Sequence, residues 1–269
     1  MFTDSERVEK IIYRDKANQA YLEEAKEYVM TADYHTHTTF SHGNGSAEDN
    51  IKAAISRGLR EIAISDHGPG HKFYGVDLNK YSLDAFGFQL EELRQKYPEI
   101  KIHWSVEANI VDNGRNNLDI EEGVDFDFLN AGYHYGIPKA KCISNFIYAH
   151  GFKIKALGEK LKAFNTEMTI KALEKNKIKI LTHPGDKGPF DILELAKCCA
   201  KMGTWMEISS RHSHLTVDEI KIAMTVPDVK FVVSSDAHRP ENVGDYLGGV
   251  AKALEAGLDM NRIVNIKKR

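Results

Sequence analysis

Residues 32–42 read ADYHTHTTFSH, and this stretch decides the fold. Residues 32–37 have the pattern of a strand, and they end in two histidines spaced two apart. On a strand that spacing points His35 and His37 to the same face. If the flanking Asp33 also points inward, that face is a barrel interior. The polar loop that follows, SHGNGS, carries His42, and its glycines let the backbone fold back over a barrel mouth. The C-terminal ends of strands are where α/β barrels build their active sites.

Working outward, the same arrangement recurs. Strands are expected at residues 61–65 (EIAIS), 100–107, 125–132, 178–182, 204–209 and 230–235. Helices are expected between them. One opens at Ser46, with Asp49 completing a capping-box variant and Gly58 closing it. Others span 83–97 (stopped by Pro98), 166–175, 192–202 (ended by Gly203) and 217–224, with a last helix before the closing NRIVNI. Seven strands alternating with helices imply an α/β fold with a parallel sheet and right-handed crossovers. The strand count is one short of the usual eight-stranded barrel. Residues 135–164 form a stretch that is long for a structureless loop and suits a functional rim. Residues 6–30 carry Val8, Ile11, Ile12, Leu22, Ala25 and Val29 at roughly helical spacing. They predict an N-terminal helical extension (1–30) ahead of a barrel on 31–269. It packs outside the barrel or across its bottom, or acts as a lid or a homo-oligomer contact.

Composition narrows the classes. Lysine plus arginine number 36 and aspartate plus glutamate 39, so there is no basic footprint for long nucleic acid. Cys142, Cys198 and Cys199 are odd in number and two are adjacent, which suggests no disulfide framework. The first residues lack an apolar signal-peptide core, and no run approaches a membrane span, so a cytoplasmic location without membrane partners is expected.

Strand ends also carry the chemistry. Asp66-His67 follows EIAIS, Glu107 ends IHWSVE, His134 follows the 125–132 strand, and His183-Pro184-Gly185 follows KIKILT. Asp236 and His238 follow the last strand. A single histidine is more often an ordinary polar residue. Six of seven strands ending in ligand-type side chains is hard to reach by accident. A buried Glu107 is costly unless paired or bound to metal, and its two oxygens can bridge two ions. Imidazoles mixed with carboxylates suit Zn²⁺, Mn²⁺ or Fe²⁺. The nine candidates His35, His37, His42, His67, Glu107, His134, His183, Asp236 and His238 suit three ions per chain with coordination positions left open. Asp66 reads as a carboxylate orienting a neighbour, or as a plain turn residue.

The segments HTHTTFSH, ISDHGPG, VEANI, AGYH, LTHPG and SSDAH resemble, in order, the motifs of the PHP (polymerase and histidinol phosphatase) family. More narrowly, they resemble its small stand-alone bacterial phosphatases. The resemblance runs from about Asp33 to the C-terminus and leaves the N-terminal segment outside. It implies a distorted seven-stranded TIM-like barrel with a trinuclear metal cluster. It further implies one ion on His35, His37, Glu107 and Asp236, a second on Glu107, His134 and His183, and a third on His42, His67 and His238. His42 lies in a loop whose length varies in the family.

The expected activity is hydrolysis of small phosphate monoesters by a metal-bound hydroxide, histidinol-phosphatase-like, with a small phosphorylated metabolite as partner. Asp236, Glu107 and His238 are the catalytic candidates, with Asp236 or a metal-bound water assisting the leaving alcohol. No Cys-x₅-Arg loop, GxSxG elbow or GxxxxGK[ST] loop is present. Arg211, His214 and Arg239 follow the last two strands and suit phosphate, and His71 sits on a glycine-rich loop that suits closure over substrate. His103 reads as a satisfied core histidine, while His150 and His212 have no motif support. The alternatives are a phosphodiesterase or exonuclease acting on short oligonucleotides, a catalytically silent metal-binding scaffold, and an amidohydrolase. The last usually pairs its HxH with a lysine or carbamylated bridge, a role Glu107 takes here. An aromatic-and-basic track for long single strands is absent.

Overall fold

The computed structural model describes residues 16–70, 80–120, 123–137, 140–151 and 153–269. Helix α1 (Lys16–Ala25) and strand β1 (Tyr28–Met30) lead into strand β2 (Ala32–Thr36). Then come α2 (Ala47–Ser56), β3 (Glu61–Ile64), α3 (Lys80–Lys96), β4 (Lys101–Asn109) and β5 (Phe128–Gly132). Next are α4 (Cys142–His150), α5 (Lys155–Lys175), β6 (Ile178–Leu181), α6 (Ile192–Met202) and β7 (Trp205–Ser209). The chain closes with α7 (Val217–Ala223), β8 (Lys230–Ser234), α8 (Leu247–Ala256) and β9 (Ile266–Lys268).

Strands β2 to β8 form one seven-stranded sheet in chain order, each parallel to the next. The two edges meet just beyond their strands. Thr36 bridges Ala237 in parallel, and His37 N donates to Ala237 O at 2.8 Å. The buried Asp33 carboxylate accepts from Ser235 Oγ and from Gly244 N. The sheet is therefore a nearly closed, distorted barrel, as the strand count predicts. Ile62, Ile64, Ile102, Met206, Ile208, Phe231 and Val233 pack into one apolar core with Ile51, Leu90, Leu173, Leu195, Ile220 and Val250 of the helices. Each such buried side chain contributes about 1.5–3 kcal/mol. The alternate strand positions, facing away from that core, are where polar groups collect.

Local signals hold where they are strong. Ser46 and Asp49 form the reciprocal capping box of α2, and Gly58 (φ 73°) and Gly203 (φ 72°) take the left-handed conformation that ends α2 and α6. Two expectations are corrected. The helix expected over 6–30 ends at Ala25, and Tyr28–Met30 instead pairs antiparallel with β9; residues 6–15 lie outside the described residues. Aromatic and β-branched side chains favour a strand here, but its partner lies at the other end of the chain. The long stretch 135–164 is not a loop, because it holds α4 and the first turns of α5, which begins at Lys155 rather than 166. Gly158 obscured that helix. It is buried where helices cross, and a Cβ there would come within 2.5 Å of Tyr148 Oη. No helix among the described residues is long and apolar enough to cross a membrane.

Candidate metal centre

The strand ends converge. His35, His37, Glu107, His183 and Asp236 are buried to within 3 % of full burial, and His67, His134 and His238 nearly so. Four atoms meet at the end of β2. His35 Nε2 lies 3.1 Å from His37 Nε2, 3.3 Å from Glu107 Oε2 and 3.6 Å from Asp236 Oδ1. His37 Nε2 lies 3.2 Å from the same Asp236 oxygen and 3.6 Å from Glu107 Oε2. The second Glu107 oxygen faces elsewhere: Oε1 is 2.9 Å from His183 Nε2 and 3.3 Å from His134 Nε2, and accepts from Thr182 Oγ1 at 2.7 Å. His67 Nδ1 is 3.0 Å from Glu107 Oε2. His42 completes a third group, its ring 4.8 Å from that of His67 and 4.2 Å from that of His238.

Backbone strain places some of these groups. His183 (φ 27°) and Asp236 (φ 49°) are non-glycine residues in the left-handed region, a conformation that persists only where surroundings hold it. Glu207 Oε2 accepts from His183 N at 2.7 Å. Gly132 leaves the room that Glu107 needs, since a Cβ there would collide with Thr182 Oγ1 and lie 3.1 Å from Glu107 Oε1.

Electrostatics point the same way. Burial alone would push the Glu107 carboxyl up, but His35, His134 and His67 override it and hold it well below its ordinary range. Asp236 is likewise raised by burial but drawn well below its usual value by His35, Arg211 and His238. Burial opposes charge on His35, yet Glu107, Glu207 and Asp236 keep its pKa well above normal. Burial and neighbouring imidazoles hold His37 and His238 well below theirs, and His42 at about 3. The site thus combines ionised Glu107 and Asp236 with three imidazoles, of His37, His42 and His238, that are held neutral, a donor set that suits a cation.

A metal fits that donor set. A tetrahedral ion with bonds near 2.0–2.1 Å keeps its ligands about 3.3 Å apart, which the spacing around His35 and His37 matches. Among the described residues, buried His37 Nδ1 and Glu107 Oε2 find no hydrogen-bond partner, although Glu107 Oε2 has the imidazoles above as close neighbours. The donor atoms fall into clustered groups, including His37, His42, His67 and His238 in one and His35, His37 and Glu107 in another. The cluster opens into a pocket of about 420 Å³ whose wall includes Tyr135, Lys187, Arg211 and His212.

Other candidates are placed differently. Arg211 reaches the site, with Nη1 3.5 Å from Asp236 Oδ2. His214 turns to Glu219 (2.8 Å) and Arg239 to Glu241 (3.7 Å), each drawn by a nearby carboxylate, and neither lines the pocket. His71 lies outside the described residues. Asp66 accepts from Thr38 N and from the Thr38 and Ser41 hydroxyls, and so ties down the loop to His42. His103 bonds to Glu61 at 2.8 Å, a satisfied histidine as expected. The motifs missed Glu207, His212, Lys187 and Tyr135. Glu207 was detectable as a lone carboxylate inside the apolar strand WMEIS, the signal that marked Glu107. His212 gave none, because its partners come from separate loops.

A model of the PHP domain matches residues 33–197, more than half of the chain. The chain belongs to the PHP domain family. Among relatives of this PHP chain, a Proteus mirabilis protein described as "Probable phosphatase" is 24 % identical over 252 residues, covering 90 % of this chain and 92 % of that one. A Thermoanaerobacter protein of the same description is 28 % identical over 247 residues, covering 88 % and 90 %. In fold, the PHP chain resembles histidinol phosphate phosphatase from Lactococcus lactis, solved with zinc, L-histidinol and phosphate. The TM-score is 0.60 at 17 % identity, over 86 % of this chain and 95 % of that one.

Proposed function

We propose that this PHP protein is a metal-dependent phosphomonoesterase acting on a small phosphorylated metabolite. The observation that carries the reading is the division of Glu107. Its Oε2 faces His35 and His37, its Oε1 faces His134 and His183, and the whole cluster opens into a pocket with cationic side chains on its wall. In this reading His35, His37, Glu107 and Asp236 hold one divalent ion, and Glu107, His134 and His183 a second. His42, His67 and His238 hold a third, with Zn²⁺, Mn²⁺ or Fe²⁺ as the matching metals. When bound, such ions neutralise phosphoryl oxygens and make a bound water acidic near neutral pH.

The chain's own residues do the rest. Arg211 and Lys187 bring positive charge to the pocket wall, where phosphoryl oxygens accept hydrogen bonds from them. Thr182 Oγ1 fixes Glu107 Oε1 by donating to it. His212 holds Asp236 Oδ2, leaving Oδ1 toward His35 and His37. Tyr135 adds an aromatic side chain to the pocket wall. A pocket of about 420 Å³ suits a small ester. The descriptions of the Proteus and Thermoanaerobacter relatives support the reaction class, and the Lactococcus structure suggests histidinol phosphate as the first metabolite to try.

The test is phosphate release from a small aryl phosphomonoester by protein loaded with Mn²⁺ or Zn²⁺, against a chelated control. Metal-dependent release is the expected result. Cleavage of a dinucleotide to a nucleoside and a mononucleotide, with no phosphate released from monoesters, would move the activity to phosphodiester hydrolysis.

A further inference from the structure

One buried carboxylate touches the centre without joining the groups proposed to hold ions. Glu207 lies inside β7, fully buried between Met206 and Ile208, which are also fully buried. Its Oε1 is 2.7 Å from His35 Nδ1. Its Oε2 accepts from the backbone N of His183 at 2.7 Å. Both oxygens are therefore engaged, each by a different strand end.

The consequence for His35 follows from imidazole chemistry. A ring that donates Nδ1–H to a carboxylate presents a lone pair at Nε2, the atom facing His37, Glu107 and Asp236. A histidine so paired has its tautomer and ring orientation fixed and its basicity raised. The consequence for His183 is different. Its backbone sits at φ 27°, strained for a residue with a Cβ. The hydrogen bond from its N to Glu207 holds that turn, and the turn places Nε2 2.9 Å from Glu107 Oε1. His35 and His183 stand on opposite sides of Glu107, toward Oε2 and Oε1.

We infer that Glu207 is a positioning residue that couples two of the proposed ion sites, orienting the His35 ring at one and fixing the His183 backbone at the other. The inference rests on the metal-dependent reading above. Glutamine cannot replace Glu207 fully. Its single carbonyl oxygen can accept from one of the two donors, and its amide hydrogens would face the other. The two Glu207 oxygens engage His35 and His183 rather than the third proposed group, His42, His67 and His238, which is left unchanged.

The experiment is metal titration of full-length wild type and Glu207→Gln, with bound metal measured by mass spectrometry and unfolding followed by circular dichroism. Three tight equivalents are expected for wild type. In the variant two of them weaken at least about tenfold, the size of effect that loss of a ligand's supporting partner produces, and one stays tight. Three equally tight equivalents in the variant overturn the inference. So does uniform weakening of all three together with a lower unfolding temperature, which marks a merely structural role. Wild type that takes up no metal overturns the underlying reading instead. Should Glu207→Gln fail to fold, the structure of metal-loaded wild type decides. Glu207 within hydrogen-bond distance of His35 Nδ1 and His183 N supports the inference, and Glu207 bound directly to an ion overturns it.

Discussion

His212 Nε2 sits 2.8 Å from Asp236 Oδ2, and this contact sets which Asp236 oxygen faces the cluster. The other ring nitrogen, Nδ1, lies 3.1 Å from Asp186 Oδ2, so the ring is gripped from both sides. Asp236 Oδ1 is left 3.2 Å from His37 Nε2 and 3.6 Å from His35 Nε2.

Removing that grip should impair function more than folding. His212→Ala frees Asp236 to rotate away from the two histidines. The expected loss in kcat/KM is about 10- to 100-fold, the usual effect of deleting a ligand's hydrogen-bond partner, with an unchanged circular dichroism spectrum. Steady-state kinetics on the metal-loaded variant check this. A kcat/KM within twofold of wild type would show that Asp236 needs no such support.

Gly132 tests the packing of the centre from the opposite side. A methyl group there would run into Thr182 Oγ1 and sit 3.1 Å from both Glu107 Oε1 and His134 Cε1. The backbone itself accepts alanine, because Gly132 is absent from the positive-φ positions. Gly132→Ala should therefore overpack the site at a cost of about 1–3 kcal/mol. Bound-metal stoichiometry and turnover should both fall. Full metal content at normal turnover would contradict the described arrangement of Glu107.

How much of this was legible in the sequence depended on distance along the chain. The strand-and-helix alternation was readable because each element carries its own period and caps, as in Ser46 with Asp49. The strand-end histidines were readable because parallel strands bring like ends together. The β1–β9 pair was not, since Met30 meets Ile266 across almost the whole chain and neither short segment announces its partner. Gly158 hid the start of α5 because its role is contact with Tyr148, which no local pattern encodes. Glu207 sits between those cases: its charge inside an apolar strand was visible, but its two partners were not. His214 and Arg239 shared a rim with Arg211 in sequence terms, and Glu219 and Glu241 drew them aside.

Lys252 links stability to the loop that carries Arg211 and His212. It is buried within α8, and its Nζ donates to the carbonyls of Ser209 and His212 at 2.8 Å and of Ser213 at 3.4 Å. Burial lowers its pKa from 10.5 to about 8, against the opposing pull of Glu207, Glu219 and Asp186. Between those values the unfolded chain binds more protons than the folded one, so this group makes stability rise with pH. The stability of wild type relative to Lys252→Met should increase from about pH 8 to 10.5, by up to roughly 3 kcal/mol at 1.36 kcal/mol per unit. Urea unfolding of both chelated proteins across that range measures it. A difference that is flat or falling with pH would mean the buried ammonium keeps its ordinary pKa.

Metal removal is the broadest test. Glu107 and Asp236 are buried and held ionised at the centre, with fully buried Glu207 beside them. In the chain alone the charge of Glu107 is met by His35, His134 and His67, and that of Asp236 by His35, His212 and Arg211, whose guanidinium reaches Asp236 and His238. Divalent ions that bind the folded centre and not the unfolded chain stabilise the fold by mass action. At a hundredfold excess over Kd the gain is about 2.7 kcal/mol per site, or roughly 5–10 °C in Tm for a protein of this size. Thermal unfolding in Mn²⁺ or Zn²⁺ against chelator should show at least that increase. Glu107→Gln should lose most of the increase while keeping a Tm near that of chelated wild type, because the charge that attracts the ions is gone. Identical Tm values for wild type with and without metal would mean that these side chains hold no ion, and the phosphomonoesterase reading would fall with them.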